Sequence, residues 1–303
     1  MGAHSTGKPN PVTPRAAAAL LVVLALCVAG CGGDERAAPG RAAQAPSPTP
    51  LPRPDAPLPR EPAALADALT STTLALRSEI ERWRRDGDPA AGPPPEAVTL
   101  LALHQQRIYR RIAPARRLGD RVLALLPPSV AGEARDTLAA RRALIAIPPS
   151  GNRRPRIRTS EPEPADRLRA YYATAQRRFG VGWHVLAAVN FVESAFGRLR
   201  NESTAGARGP MQFMPATWRA YGLGGDIRDP HDAILGAANY LHAGGAPRSY
   251  RRALFHYNQS SAYVTAVLRF ARRIRRDPRA FYAYYAWQVY VRRDGVVRRI
   301  TGP

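Results

Sequence analysis

An apolar helix that ends in a carboxylate is the feature that most constrains the fold of this chain. Residues 183–197 read WHVLAAVNFVESAFG and are expected to form this helix, which opens at a glycine–tryptophan pair and closes at a glycine. Leu186, Val189 and Glu193 are spaced three and four residues apart, so they share one face. Because that face is otherwise apolar, the Glu193 carboxyl should be partly desolvated. Desolvation raises the pKa of a carboxyl and suits a general acid.

A polar loop and a glutamine among apolar residues follow this helix. Residues 198–210 are polar and glycine-rich, and they lead into Met211-Gln212-Phe213-Met214-Pro215. Pro215 is expected to start a short helix over residues 216–221. A buried glutamine is costly unless it is hydrogen-bonded, and a sugar N-acetyl group offers a matching donor and acceptor. One acid facing an amide-bearing loop is what cleavage of an amino-sugar glycan needs.

Several further fragments occur in the same order and make the pattern specific. The matching fragments are Glu193-Ser194, Gly209-Pro210-Met211-Gln212, Phe213-Met214-Pro215, Asp226-Ile227-Arg228-Asp229-Pro230, Asp232-Ala233-Ile234, Ala238-Asn239-Tyr240-Leu241 and Tyr257-Asn258. Over about residues 168–273 this stretch resembles the lytic transglycosylases of peptidoglycan, which share a goose-type-lysozyme-like fold. Some fragments look like the membrane-bound B branch and Met211-Gln212 looks like the soluble branch. Pro210 stands where leucine is usual in both.

The resemblance implies a mechanism that uses one protein carboxyl. Glu193 would protonate the glycosidic oxygen between N-acetylmuramic acid and N-acetylglucosamine. It would then act as a base toward the C6 hydroxyl, which closes a 1,6-anhydro ring without consuming water. The substrate's N-acetyl group would assist at C1, as in the substrate-assisted exceptions to the two-carboxylate rule.

The resemblance also implies a set of substrate-binding residues and no cofactor. Gln212 would contact a substrate sugar, and Tyr240, Tyr257 and Asn258 would surround the acid. Ser194, Met211 and Phe213 complete the expected set. No metal site is expected, because the histidines lack metal-ligand spacing.

Other acids in this region have simpler expected roles. Asp229 precedes Pro230 and is expected to cap the helix 230–242, with Asp232 in its first turn. Asp226 is the best candidate for a second carboxylate if the enzyme is a hydrolase, followed by Glu202.

Three other functions compete with the transglycosylase. A lysozyme-like muramidase would use the same fold and Asp226 to hydrolyse the glycan. A non-catalytic wall-binding module would keep the cleft without turnover, but the presence of both Glu193 and Ser194 argues against it. The net charge of +22 suggests a nucleic-acid binder, but the chain has no recognisable binding motif and its N-terminus predicts export.

The N-terminus resembles a bacterial lipoprotein signal. Residues 1–15 carry Lys8 and Arg15 and no acid, and residues 16–30 form an apolar run too short to span a membrane. The run ends Val-Ala-Gly before Cys31, which would be acylated; an ordinary signal peptide with a chance cysteine is the alternative. The mature protein is expected to be a monomer, lipid-anchored and extracytoplasmic in the cell envelope. Its expected partner is the peptidoglycan glycan strand, with no nucleic acid.

Composition and periodicity divide the rest of the chain. Residues 31–61 are rich in proline and alanine and predict a disordered tether. The remaining expected segments are a helical region of unknown role with solvated outer faces over 62–147, a linker over 148–164, the catalytic domain over 165–277 and an aromatic tail with a β-hairpin over 278–303. The arginines from Arg272 to Arg276 are expected to form a solvated face. The predicted fold class is therefore mainly α, a lysozyme-like helical catalytic domain with an N-terminal helical region and a short C-terminal β-hairpin.

Overall fold

The computed structural model describes residues 50–148, 157–293 and 296–303. These residues contain eleven α-helices and one two-stranded antiparallel sheet, which confirms the mainly-α prediction. Thr49–Pro303 form one compact unit. The expected signal peptide, Cys31 and the tether as far as residue 49 lie outside the described residues.

Four helices precede the segment that carries the motifs. The remaining seven helices form that segment and the region after it, and the sheet comes last. The helices are α1 (Pro62–Asp86), α2 (Glu96–Ile112), α3 (Arg116–Leu125), α4 (Pro128–Ile145), α5 (Ala165–Phe179), α6 (Trp183–Ser194), α7 (Pro215–Tyr221), α8 (Pro230–Ala243), α9 (Tyr250–Tyr257), α10 (Ser261–Arg276) and α11 (Arg279–Tyr285). The strands are β1 (Tyr290–Arg293) and β2 (Val296–Arg299), paired with Tyr290 opposite Arg299.

Proline and glycine set most of the helix boundaries. A proline stands at the first helical position of α4, α7 and α8, where its missing N–H costs nothing. Pro127 and Pro128 separate α3 from α4. Gly180 closes α5 with a φ of 71°, in the left-handed region that glycine adopts readily.

Helix α6 ends earlier than the sequence predicts. It stops at Ser194, and Ala195, Phe196 and Gly197 follow with φ values of 52°, 63° and 87°. Left-handed backbone at non-glycine residues carries strain. Here the turn drives the Phe196 ring into the core, where it packs against Phe281 at a centroid distance of 5.5 Å.

The aromatic tail begins with a helix that the sequence did not predict. Six consecutive residues of α11, from Ala280 to Tyr285, are buried. Tyr284 stacks on Phe191 of α6 at 5.2 Å, as expected for a tail that packs on the catalytic domain. The predicted hairpin is confirmed, although β1 begins at Tyr290.

Helices α4 and α10 are joined by buried ion pairs. The Asp136 carboxylate, 3% exposed, accepts hydrogen bonds from Arg269 and Arg272, and Glu133 binds Arg273 at 2.6 Å. The expectation of a solvated arginine face is therefore wrong for Arg273, whose side chain is 8% exposed, whereas Arg272 pairs with Asp136 and stays 38% exposed. The expectation of solvated acids on the outer faces is equally wrong for Glu133 and Asp136. These acids and arginines lie on separate helices, and only packing brings them together.

The described end of the expected tether is not free. Leu58 is partly buried against the core. Arg299 of β2 donates to the Pro54 carbonyl at 3.4 Å and pairs with Asp55 at 3.3 Å. Residues 50–61 are thus held against the C-terminal strand. None of the helices in the described ranges is long and apolar enough to cross a bilayer.

Candidate active site

The Glu193 carboxyl is held at the meeting point of α6 and α10. Its Oε1 accepts a hydrogen bond of 2.6 Å from the hydroxyl of Tyr263, a buried residue in the first turn of α10. The Glu193 side chain itself is only partly exposed. Burial raises the pKa of Glu193 to about 7, and the hydrogen bond from Tyr263 opposes that rise. This carboxyl can therefore hold a proton near neutrality and release it within the physiological range.

Two polar residues of α6 fasten the glycine-rich loop to the helix. Ser194 Oγ donates to the Pro210 carbonyl at 2.6 Å, and Asn190 Nδ2 donates to the same oxygen at 2.9 Å. Ser194 Oγ also accepts from the Gly197 N–H at 2.8 Å. Ser194 is completely buried, so its predicted role as a substrate contact is corrected: it positions the loop beside Glu193.

The apolar residues of the loop form its support. Met211 is fully buried and Phe213 is 2% exposed, so neither can touch a substrate directly, and the prediction is corrected for both. The Met211 carbonyl accepts a hydrogen bond of 2.6 Å from the Tyr257 hydroxyl. Phe213 packs between Trp218 and Tyr257, at centroid distances of 5.1 and 5.9 Å.

Gln212 is left partly exposed between these two buried residues. Its backbone is left-handed, with a φ of 50°, which turns its side chain away from its neighbours. The Nε2 group donates to the carbonyls of Gly209 and Asn201 at 3.0 and 3.3 Å. These bonds orient the amide, and within the described chain its Oε1 accepts no hydrogen bond. Gln212 thus remains available as a substrate contact.

Three partly exposed tyrosines form an aromatic wall next to this loop. The Tyr240 ring lies 4.8 Å from that of Tyr221 and 5.5 Å from that of Tyr257. The hydroxyl of Tyr240 donates to the carbonyl of His256 at 2.8 Å. Burial, and next the negative charge of Glu193, raise the pKa of Tyr257, so this tyrosine lies close to the acid. Such rings suit the apolar faces of sugars.

Asn258 is exposed and ends α9. Its side chain forms no hydrogen bond with the described residues. Its expected place around the acid rests on its position next to Tyr257.

The acids before and within α8 serve mainly to build that helix. Asp229 caps it by accepting from the Asp232 N–H at 2.9 Å, as predicted. The Asp232 carboxylate accepts from the Asp226 N–H, which lowers its pKa. Ligand atoms of Asp229, His231 and Asp232 lie within 4.8 Å of one another, but both carboxylates already bind backbone N–H groups. The cluster therefore gives no positive support for a metal.

Sequence reasoning missed two residues that shape the site. Tyr263 falls on the apolar side of α10, a position that is typical of a core residue. Asn190 carried a usable signal, since it is a polar residue one turn before Ser194 in an otherwise apolar helix. The buried Tyr172 hydroxyl donates to Asn190 at 2.7 Å, which fixes the amide that holds the loop.

Residues 170–273 match the family model described as "Transglycosylase SLT domain". The chain is also 30% identical over 122 residues to "Membrane-bound lytic murein transglycosylase F" from Thiobacillus denitrificans. That alignment covers 38% of this chain and 26% of the relative, so the chain spans about a quarter of the length of this curated relative. No solved structure matches the chain.

Proposed function

We propose that the protein is a peptidoglycan lytic transglycosylase, since its residues 170–273 match the transglycosylase SLT domain model. Its substrate is the β-1,4 bond between N-acetylmuramic acid and N-acetylglucosamine. Its product carries a 1,6-anhydro-muramic acid end. The similarity to the membrane-bound lytic murein transglycosylase of Thiobacillus denitrificans supports the same activity.

The pairing of Glu193 with Tyr263 is the observation that carries the proposal. A carboxyl with a pKa of about 7 is substantially protonated at neutral pH, so it can donate to the glycosidic oxygen. The Tyr263 hydroxyl, 2.6 Å from Oε1, then stabilises the carboxylate that forms. Tyr263 thus favours the charged form of Glu193, whereas burial favours the protonated form.

The reaction needs one proton carrier. As the bond between C1 and the leaving oxygen breaks, Glu193 delivers its proton to that oxygen, which leaves as the C4 hydroxyl of N-acetylglucosamine. The muramic acid C6 oxygen then bonds to C1, and its proton passes to the Glu193 carboxylate. The enzyme ends in its starting protonation state, and no water enters.

The aromatic wall and Gln212 are proposed to place the sugar for this step. Tyr240 and Tyr257 would pack against the apolar faces of the sugar, with Asn258 at the end of the wall. The free Oε1 of Gln212 would accept from the N–H of an N-acetyl group. Ser194 and Asn190 act indirectly, since they hold the loop through the Pro210 carbonyl.

Product analysis in water enriched in oxygen-18 tests the proposed reaction. Purified peptidoglycan is digested, and the soluble fragments are weighed by mass spectrometry. A transglycosylase yields muramic acid ends that lack one water and carry no label. Reducing ends labelled with oxygen-18 would instead identify a hydrolase and contradict the proposal.

We also infer that the protein works in the cell envelope as a monomer anchored through acylated Cys31. The apolar run of residues 16–30 and the small residues before Cys31 support this inference. Replacement of Cys31 by alanine should move the protein from the membrane fraction to the soluble fraction. Unchanged fractionation would contradict the lipid anchor. Light scattering of the Cys31→Ala variant without detergent measures its molar mass and so tests whether it is a monomer.

A further inference from the structure

A cavity lies beside the glycine-rich loop, and its lining does not include Glu193. It has a volume of about 620 Å³, which is within the usual range for ligand sites. Its lining residues are Arg158, Thr159, Leu199, Arg200, Glu202, Arg208, Gly209, Asp226, Arg228, Asp229 and Pro230. Four of them are arginines. We call this cavity the arginine pocket.

Part of the arginine pocket lies outside the segment that matches the family. Residues 158–160 pair with 198–200: the Arg200 N–H donates to the Arg158 carbonyl, and Ser160 N–H donates to Arg198, both at 3.0 Å. Thr159 and Leu199 form a β-bridge between these segments. Arg158 and Thr159 precede the family segment, which begins at residue 170. The pocket is therefore a feature of this chain's own linker folded onto the domain.

The charges in the pocket leave two guanidinium groups uncommitted. Glu202 is shared by Arg208 and Arg228, at 2.9 and 3.6 Å. Arg200 donates to Ser160 Oγ at 2.6 Å, a neutral partner, and within the described chain neither Arg158 nor Arg200 pairs with a carboxylate. Guanidinium groups bind carboxylates and phosphates through paired, charge-assisted hydrogen bonds.

Among the described residues, the two aspartates in the wall form no ion pair with these arginines. Asp226 Oδ1 accepts from the Arg228 N–H at 2.8 Å, and Asp229 accepts from the Asp232 N–H. Both carboxylates are thus turned toward backbone donors. The ion pairs of Glu202 are easily broken, because its side chain and those of its arginine partners are more than 40% exposed. Exposed ion pairs contribute little free energy.

The pocket adjoins the proposed sugar site. Gly209 lines the pocket, and its carbonyl accepts the hydrogen bond from Gln212 Nε2. The left-handed backbone of Gly209 (φ 74°) presses so closely on Ile227 that a Cβ atom would collide with the Ile227 carbonyl oxygen. The Gly209 turn thus separates Gln212 from the arginine pocket. A group attached to a sugar bound at Gln212 would reach the pocket across this turn.

We propose that the arginine pocket binds a carboxylate of the peptide that muramic acid carries on its lactyl group. This inference rests on the proposed function, since it names which part of the same polymer the neighbouring pocket recognises. Arg158 and Arg200 bind the incoming carboxylate, and Glu202 holds Arg208 and Arg228 in place when the pocket is empty. The enzyme thereby prefers glycan strands that still bear peptides.

A binding measurement with a non-cleaving protein tests this pocket. Every protein carries Glu193→Gln, and the probes are soluble glycan strands with their peptides and the same strands after an amidase has removed them. We expect the strands with peptides to bind more tightly. The double variant Arg158→Gln/Arg200→Gln should weaken that binding about tenfold and leave binding of the bare strands unchanged.

The matched control removes the same charge elsewhere. Arg117 and Arg121 are exposed residues of α3, and the variant Arg117→Gln/Arg121→Gln lowers the net charge equally. It should bind both probes like the parent protein. A second variant, Glu202→Gln, removes the competing anion and should tighten binding of the strands with peptides. Circular dichroism of each variant checks that the fold is intact.

Three results would overturn the proposal. Equal affinity for both probes in the parent protein would show that no peptide carboxylate is recognised. Unchanged binding in the Arg158→Gln/Arg200→Gln variant would place recognition elsewhere. Full competition by phosphatidylglycerol vesicles or inorganic phosphate would assign the pocket to a phosphate. Because binding is measured without cleavage, a failure of the transglycosylase proposal would appear separately, in the product analysis.

Discussion

The Glu193 carboxyl is balanced between two opposing influences. Burial disfavours the carboxylate, whereas the Tyr263 hydroxyl favours it. A pKa of about 7 is the result of both. The activity is therefore expected to fall as the pH rises through about 7, because the general acid loses its proton there.

Replacement of Tyr263 by phenylalanine should move that limit. The variant loses the hydrogen bond that stabilises the carboxylate, so the pKa of Glu193 rises further, by about one unit. The alkaline limb of the kcat profile should shift to higher pH by the same amount, at reduced kcat. Tyr240→Phe is the control, since the Tyr240 hydroxyl binds the carbonyl of His256 instead. An unshifted limb in Tyr263→Phe would mean that this contact does not set the pKa.

Glu193 should also cost the protein stability at alkaline pH. Its pKa in the folded state, about 7, lies above the ordinary value of 4.5, so between these values the folded state binds more protons than the unfolded state. Stability attributable to this group is then full below about pH 4.5 and declines as the pH rises through 7. Glu193→Gln should therefore raise the unfolding free energy at pH 8 by about 3 kcal/mol and change it little at pH 4. Equal effects at both pH values would show that Glu193 titrates normally.

At the scale of elements, the position of α10 decides whether Tyr263 reaches Glu193. The first turn of α10 carries Tyr263, and its C-terminal half is held by acids of α4 and by Asp277. Burial raises the pKa of Asp277, but the hydrogen bonds from Arg279 and Arg273 outweigh it and lower that pKa to about 2. The N-terminal helices thus help to position a residue of the proposed active site.

Loss of one buried acid should test this support. Asp136→Asn removes the carboxylate shared by Arg269 and Arg272 and should lower the unfolding free energy by about 2 to 3 kcal/mol. The matched control is Asp120→Asn, whose 63% exposed side chain pairs with Arg142 and which should cost less than about 1 kcal/mol. Urea unfolding measures both, and equal losses would contradict a special role for the α4 acids.

The sequence predicts the helices whose ends are set by neighbouring residues, such as a proline or a capping aspartate. The helices around the site follow from Pro215, Pro230 and the capping Asp229, and the motif fragments predict that Glu193 lies beside the Gln212 loop. The contacts that the sequence does not predict join residues that are far apart in the chain. The ion pairs of Asp136 require α4 to lie against α10, and Tyr263 cannot be told from a core tyrosine until α6 faces it.

Burial also determines which motif residues are accessible to a substrate, and the motifs themselves do not indicate this. Ser194 and Met211 stand within the motif fragments, next to Glu193 and Gln212, yet packing hides both. The left-handed turn after Ser194 ends α6 before the expected glycine, because it buries Phe196. The fold class was predictable, whereas the division between exposed and buried residues of the candidate site was not.

At the scale of the whole molecule, the described chain behaves as one compact unit rather than a domain with an appendage. A fragment of residues 157–303 would expose the arginines of α10 and the face of α11 that contacts α1 and α2. We expect it to unfold without the sharp thermal transition of the full protein. A cooperative transition and full activity of this fragment would show that α1–α4 are dispensable.

One proton donor without a second protein acid is the central claim of this account. Its most direct test is the rate at which purified peptidoglycan is solubilised near pH 6 by the wild type, Glu193→Gln and Asp226→Asn, all shown to be folded by circular dichroism. We predict a loss of at least roughly 100-fold for Glu193→Gln and near wild-type rates for Asp226→Asn. Retained cleavage by Glu193→Gln, or an equal loss in Asp226→Asn, would contradict it.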